Sequence, residues 1–242
     1  MNINQLSNRL MAVVSRIPLH SVVADIGSDH AYLPCYAIKN GLADKAIAGE
    51  VADGPFLAAQ QQVKEAGLEE RIAVRKGNGL EVIASGEADC VTIAGMGGTL
   101  IASILEEGKD KLGGVKRLIL QPNLRADQIR KWLIEHGWEL IDEEIIEEDG
   151  KIYEILTAEK GDPERPYSAK KELEMLTGPM LLAQKNAVFL KKWQREAAQL
   201  EVVLENVKKA ENQAAAASKK REILHELQLI KEAIDSEESE WT

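Results

Sequence analysis

The residues with the most chemistry to offer are Asp25-Ile26-Gly27-Ser28-Asp29-His30. They close the β-branched run Val22-Val23-Ala24 and lead into the apolar helical segment 32–38. A strand that enters a tight turn and then a helix is how open α/β sheets present backbone amides to a nucleotide-like ligand. A dinucleotide needs a second and a third glycine so that its pyrophosphate can approach the backbone. Here Asp29 and bulkier residues occupy those places, and a diphosphate would meet a carboxylate. S-adenosylmethionine has no phosphate, carries a sulfonium and an ammonium, and suits acids at Asp25 or Asp29. The turn therefore favours a methyl-donor site, with Asp25, Gly27 and Ser28 as donor contacts, over a nicotinamide site.

Three further strand ends carry candidate groups. Glu50 and Val51 close the run Ala46-Ile47-Ala48-Gly49, one βαβ unit after the glycine turn, where an acid accepts hydrogen bonds from both ribose hydroxyls. Asn78-Gly79 ends the next strand, and an amide there can both donate to and accept from an adenine edge. Ala94-Gly95-Met96-Gly97-Gly98 ends the fourth. Enzymes that methylate an exocyclic amine commonly place an Asp or Asn, two prolines and an aromatic at this point, and this chain does not. Its glycines let backbone approach a flat acceptor and Met96 can pack against a ring. That suits an acceptor with an in-plane lone pair, such as a purine ring nitrogen. Gln121-Pro122-Asn123 ends the fifth strand, where its amides either read a base or cap the following helix.

These positions need a sheet to hold them on one edge. Hydrophobic patterning predicts strands at 22–27, 45–51, 71–76, 88–95, 117–121, 138–147 and 151–158, and helices near 31–40, 55–66, 97–107 and 125–136. Such alternation implies a mostly parallel seven-stranded α/β sheet with helices on both faces. Gly54-Pro55 reads as a helix start with proline first. Asp149-Gly150 signals a closing antiparallel hairpin. Residues 1–16 read as a short amphipathic helix leading in.

After about residue 162 the pattern changes. Residues 168–236 hold one glycine and one proline, and apolar residues recur at helical spacing from Leu182 to Val207 and from Ile223 to Ile234. Two long helices folded into an antiparallel coiled-coil hairpin bury both stripes, with the turn within 208–220. A helical dimerisation arm is the other reading. Acidic 236–240 reads as a frayed tail. The expected division is 1–162 and 163–242.

The formal net charge is −10, which argues against a protein that coats nucleic acid by bulk electrostatics alone. Residues 168–242 hold 12 basic and 13 acidic residues, against 18 and 27 before them, so the acid excess lies in the first two thirds. Cys35 and Cys90 have no CxxC spacing and read as buried thiols of a reducing compartment. There is no secretory h-region or membrane-length apolar run, so the expectation is a soluble cytoplasmic protein. Of the four histidines only His30 lies in a motif, and neither HExxH nor a Cys/His cluster occurs, so no metal is expected.

Arg9-Leu10, the run from Ala24 to Pro34, Ala94-Gly95-Met96-Gly97-Gly98, Leu120-Gln121-Pro122-Asn123 and Leu176-Thr177-Gly178-Pro179 together resemble the bacterial TrmK family, the tRNA (adenine(22)-N1)-methyltransferases. The resemblance covers essentially the whole chain. It implies a class I, Rossmann-like methyltransferase domain with a coiled-coil appendage. It also implies S-adenosylmethionine as donor and N1 of an adenine in the D-loop region of tRNA as acceptor. The RNA, and the position on it, come from the resemblance alone.

Adenine N1 is unprotonated at neutral pH, so no proton need leave before attack, and the product is cationic. A carboxylate near that charge is useful, and Asp29 is the candidate, either there or at the methionine end of the donor. His30 orients Asp29 or the base. The basic candidates for tRNA are Arg9, Arg16, Arg125, Arg130 and Lys131; Lys185, Lys191, Lys192 and Arg195; and Lys208, Lys209, Lys219, Lys220 and Arg221 near the hairpin tip. The chain is expected to act as a monomer, the dimerising arm being the alternative. The rival functions are a small-molecule methyltransferase with that arm, a non-catalytic tRNA-binding adaptor and, least favoured, a nicotinamide oxidoreductase.

Overall fold

The computed structural model describes residues 2–208 and 213–235. The chain divides into two compact units, 1–166 and 167–242.

In the first unit seven strands form one sheet: β1 (Ser21–Ile26), β2 (Ala43–Glu50), β3 (Ile72–Lys76), β4 (Cys90–Met96), β5 (Arg117–Pro122), β6 (Trp138–Glu148) and β7 (Lys151–Lys160). Their order is β3-β2-β1-β4-β5-β7-β6. Strands β1–β5 pair in parallel, and β7 runs antiparallel between β5 and β6. Alternation along β1 divides its side chains between two cores: Ala24 and Ile26 join one, Val23 the other. Helices α1 (Asn8–Val14), α2 (Tyr32–Lys39) and α3 (Asp53–Glu65) close over the Val23 face, and α4 (Gly98–Glu107) and α5 (Ala126–Glu135) over the opposite one. This is the mostly parallel α/β sheet that the patterning predicts, with strand ends shifted by one or two residues.

Two local readings are corrected. Helix α3 starts at Asp53, two residues before Pro55. Proline fits its third position because the first four helical N–H groups have no intrahelical partner to lose. The helix expected near 31–40 starts at Tyr32, after a 3-10 turn at Asp29–Ala31, and two further 3-10 turns lie at Gly79–Val82 and Lys109–Gly114. Asp149 and Gly150 both take positive φ, 51° and 74°, the backbone of a tight hairpin turn.

The second unit begins with two short helices, α6 (Lys171–Thr177) and α7 (Pro179–Gln184), ahead of α8 (Ala187–Lys208) and α9 (Gln213–Asp235). Proline at the first position of α7 and a left-handed Lys185 separate these segments. The Asn186 side chain then caps α8, accepting the N–H groups of Val188 and Phe189 at 3.0 Å each. Helix α9 packs back along α8: Leu204 clusters with Ile223 and Leu227, and Lys231 reaches Glu201 at 3.4 Å. Ala214–Ala217 lie within α9. Lys209, the segment joining α8 to α9, and residues 236–240 lie outside the described residues.

Candidate active site

The carboxyl ends of β1, β2, β4 and β5 meet along one edge of the first unit. At the end of β1, Asp25 is buried and accepts a hydrogen bond from Thr92 Oγ1 on β4 at 2.6 Å. Burial pushes its carboxyl up from the ordinary range, and nearby Glu50 adds to that. The buried Ser28 hydroxyl helps the Asp25 carboxylate yet completes no hydrogen bond of good geometry. The turn does not present its amides as the motif suggests. Gly27 N–H and Ser28 N–H both donate to the Gly49 carbonyl, at 2.9 and 3.0 Å, and Asp29 N–H turns back to Gly27 O at 2.9 Å. With those donors consumed there is no phosphate cradle, so the site disfavours a diphosphate for a second reason. Gly27 has φ +73°, and a Cβ there would collide with Met96 Cε.

Glu50 ends β2 with one carboxylate oxygen, Oε1, accepting the N–H groups of Val51 and Ala52 at 3.0 and 3.3 Å. Its Oε2 has no hydrogen-bond partner among the described residues, although the residue is buried. Val51 is 59% exposed beside it, a flat apolar surface. Asn78 is exposed at the end of β3, its N–H donating to Glu81 at 3.1 Å, with Gly79 opening the 3-10 turn behind it. An unpartnered carboxylate oxygen, an exposed apolar residue and a buried unsatisfied hydroxyl thus lie along the ends of β1 and β2.

Asp29 and His30 sit above this edge. The Asp29 side chain is 73% exposed, and His30 Nε2 stands 3.5 Å from its Oδ1. The His30 ring stacks on Tyr32 with centroids 5.2 Å apart. His30 and Ala31 both adopt left-handed backbone, φ 58° and 50°, at a cost of roughly 1–2 kcal/mol each. That strain turns the chain sharply and leaves the Asp29–His30 pair facing outward.

Strand β4 ends in a bulge. Its register against β5 slips between Ala94 and Met96, with Gly95 at φ +80°. Gly95 N–H donates to Gln121 Oε1 at 2.9 Å, and Gly95 O accepts from Asn123 Nδ2 at 2.8 Å. Gln121 is fully buried; its Oε1 also accepts from Arg9 Nη1 at 2.5 Å, and its Nε2 donates to the Pro122 carbonyl at 2.8 Å. The Gln121 amide therefore neither reads a base nor caps a helix. It braces the bulge. Asn123 does not cap either: Arg125, in left-handed backbone, precedes α5 without a side-chain cap. Gly98 is packed so closely on the 124–125 backbone that a Cβ would strike Arg125 O.

The basic candidates separate on burial. Arg16 bridges Asp142 and Glu144, at 2.7 and 2.8 Å. Arg130 is fully buried, bonded to Glu143 and Glu154, so it is no RNA contact; an arginine on an amphipathic helix gives no sign of acids 13 and 24 residues later. Arg125 is exposed and pairs with Asp127 at 2.8 Å. In the second unit Lys191 and Arg195 are exposed on α8, and Lys192 lies 4.4 Å over the Trp193 ring. No motif marks Thr92, which bonds Asp25, or Tyr153, whose ring lies 5.3 Å from the Arg9 guanidinium carbon.

Cys35 and Cys90 are buried and unbonded, and burial pushes the Cys35 thiol up to about 11 and Cys90 further, so both stay protonated. Among the described residues there is no cluster of three metal-ligating side chains and no helix long and apolar enough to cross a membrane.

The sequence profile of the family described as TrmK, tRNA (adenine(22)-N(1))-methyltransferase, matches residues 23–232. The chain is 54% identical over 236 residues to the tRNA (adenine(22)-N(1))-methyltransferase of Bacillus subtilis, covering 97% of this chain and 99% of that one. The crystal structure of the B. subtilis M1A22 tRNA methyltransferase TrmK superposes with a TM-score of 0.91, at 53% identity, over 96% of this chain and 99% of the other. A Streptococcus pneumoniae protein solved in complex with S-adenosyl-L-methionine superposes with a TM-score of 0.84, at 42% identity, over 95% of this chain and all of its own.

Proposed function

The chain belongs to the TrmK family of tRNA (adenine(22)-N(1))-methyltransferases, and from that premise we propose the roles of its site residues. It transfers a methyl group from S-adenosylmethionine to N1 of adenine 22 in tRNA. The observation that carries the acceptor assignment is the bulge at Gly95. An edge made of backbone and a braced amide offers a flat base room, and lacks the amine-holding proline–aromatic group.

The donor supplies an electrophilic methyl on a sulfonium centre. Glu50 Oε2 takes the ribose hydroxyls, Val51 packs on the adenine, and Asn78 with Gly79 lines its edge. Asp25, Gly27 and Ser28 hold the amino-acid end, and Ala94, Gly95 and Met96 form the wall beside the methyl. Adenine N1 attacks with an in-plane lone pair, so no general base is required. Asp29 stabilises the cationic product and His30 holds Asp29 in place. Gln121 and Pro122 support the acceptor wall from below, and Asn123 and Arg125 line it. N1 lies on the Watson–Crick edge, so adenine 22 must leave its pairing before it enters.

We assign methyl transfer to residues 1–162 and much of the tRNA grip to 163–242, whose helix α8, packed along α9, carries Lys191, Lys192 and Arg195. The enzyme acts as a monomer in the cytoplasm, where buried protonated thiols are stable. The test uses tRNA transcripts carrying adenosine or 1-deazaadenosine at position 22. Label from the donor is expected on the first alone; equal labelling of both would overturn N1 as acceptor.

A further inference from the structure

Arg9, like Arg71, has no carboxylate partner among the described residues, but Arg71 commits two nitrogens to the backbone carbonyls of Ala43 and Asp44. Six other arginines of the first unit face carboxylates within 4 Å. Arg9 faces none among the described residues, although the first unit is rich in acids. Glu148, the acid that meets this end of α1, accepts the backbone N–H groups of Asn8 and Arg9, at 2.6 and 3.4 Å. It anchors the start of the helix and not the guanidinium. The guanidinium itself is built in. Its Nη1 is tethered to Gln121 Oε1 at 2.5 Å, and its central carbon lies over Tyr153, 5.3 Å from the ring centre. Nε and Nη2 have no partner among the described residues. An arginine fixed at one corner and stacked on an aromatic presents its remaining N–H groups as a preformed fork for an oxyanion.

Sheet order says which anion. The donor residues Glu50 and Asp25 lie on β2 and β1, and the wall beside the methyl on β4. Arg9 touches β5 through Gln121 and β7 through Tyr153, strands beyond the methyl on the acceptor side. The β6–β7 hairpin carries Tyr153 past the end of β5: Leu120 pairs with Leu156, and Tyr153 pairs only with Ile146. Arg9 thus stands at the acceptor-side margin of the wall that Gly95 helps to form, on the flank open to the backbone of an extruded nucleotide. We propose that Arg9 is a phosphate-binding residue that takes a phosphodiester flanking the target adenosine, with Gln121 and Tyr153 as its seat. This rests on the tRNA reading above and deepens it: Gln121 is a positioning residue, and the contact it supports is to the backbone, not to the base.

The test uses synthetic tRNA with a neutral methylphosphonate on either side of adenosine 22, and wild type, Arg9→Ala and Arg9→Lys. One of the two neutral linkages should raise the wild-type Kd and KM for RNA about tenfold, the size of one charge-assisted hydrogen bond. Arg9→Ala should match that effect and show no added sensitivity to the same linkage, and Arg9→Lys should recover part of it. Donor affinity by calorimetry should fall by less than RNA affinity does, because Arg9 reaches the donor wall only through Gln121 Oε1, which it shares with Gly95 N–H. Wild type indifferent to both linkages overturns the proposal whether or not Arg9→Ala folds. So does an Arg9→Ala enzyme that loses donor affinity but keeps its KM for RNA, which would assign the fork to the donor's carboxylate. Equilibrium RNA binding reads the phosphate interaction without any methyl transfer, whereas failure to form N1-methyladenosine on all-phosphate RNA would defeat the assigned reaction instead.

Discussion

Thr92 Oγ1 and Asp25 Oδ1 lie 2.6 Å apart between neighbouring strands, beneath the edge where the donor residues converge. That bond and the nearby Ser28 hydroxyl offset only part of what burial costs the carboxylate, whose protonation the fold favours.

Asp25→Asn is therefore expected to raise the thermal midpoint at neutral pH while weakening donor binding. The sign follows from linkage. The folded pKa lies above the unfolded one, so the folded state binds the proton more tightly and stability falls as pH rises through that interval. Melting curves across pH 3–8, an interval taken around the ordinary carboxylate value of about 4, should show wild type falling behind the variant as pH rises. A variant that melts lower at every pH would contradict this.

Gly27→Ala should weaken donor binding by at least about 10-fold, the size of the backbone cost alone. The new Cβ meets Met96 Cε and the backbone is left-handed, at a cost of about 1–2 kcal/mol before any clash. Adding Met96→Ala relieves the collision but not the backbone, so calorimetry should find partial recovery. Full affinity in Gly27→Ala alone would refute the assignment of Met96 to the donor wall.

Arg130 is buried between Glu143 and Glu154, tying α5 to β6 and β7. Arg130→Met leaves two buried acids facing each other and should lower stability by roughly 3–5 kcal/mol in urea titration. Replacing both acids by leucine in the same variant should restore most of it. An undisturbed Arg130→Met would show that the acids are not held charged by this arginine.

Neutralising Lys191, Lys192 and Arg195 together should raise the Kd for tRNA and lessen its dependence on salt. The log–log slope should flatten by about 0.7–0.9 for each phosphate that is no longer neutralised. Donor affinity should not move. Unchanged tRNA affinity at moderate salt would remove α8 from the RNA surface.

Much of this was legible in the residues themselves. The β-branched run before Gly27 and the Asp149-Gly150 pair mark a strand end and a hairpin because each has one cheap backbone solution. Interactions across the sheet are another matter. Nothing local tells that Gln121 braces Gly95, because a strand-end amide reads alike whether it faces solvent or a bulge. The same holds for Arg130, whose acids arrive only when β6 and β7 fold against α5. Asn186, by contrast, carries a cap signal before α8 that sequence reading alone could have used, and that separates α7 from the long helices.

The most direct measurement is single-turnover methyl transfer from labelled S-adenosylmethionine to unmodified bacterial tRNA, with the nucleoside identified by mass spectrometry, for wild type and Asp29→Ala. Wild type should yield N1-methyladenosine. Asp29→Ala, folded and with the donor bound, should transfer at least about 100-fold more slowly, the usual effect of removing a charge-stabilising group. An Asp29→Ala enzyme that transfers at the wild-type rate, or a wild type that modifies another atom, would contradict the account.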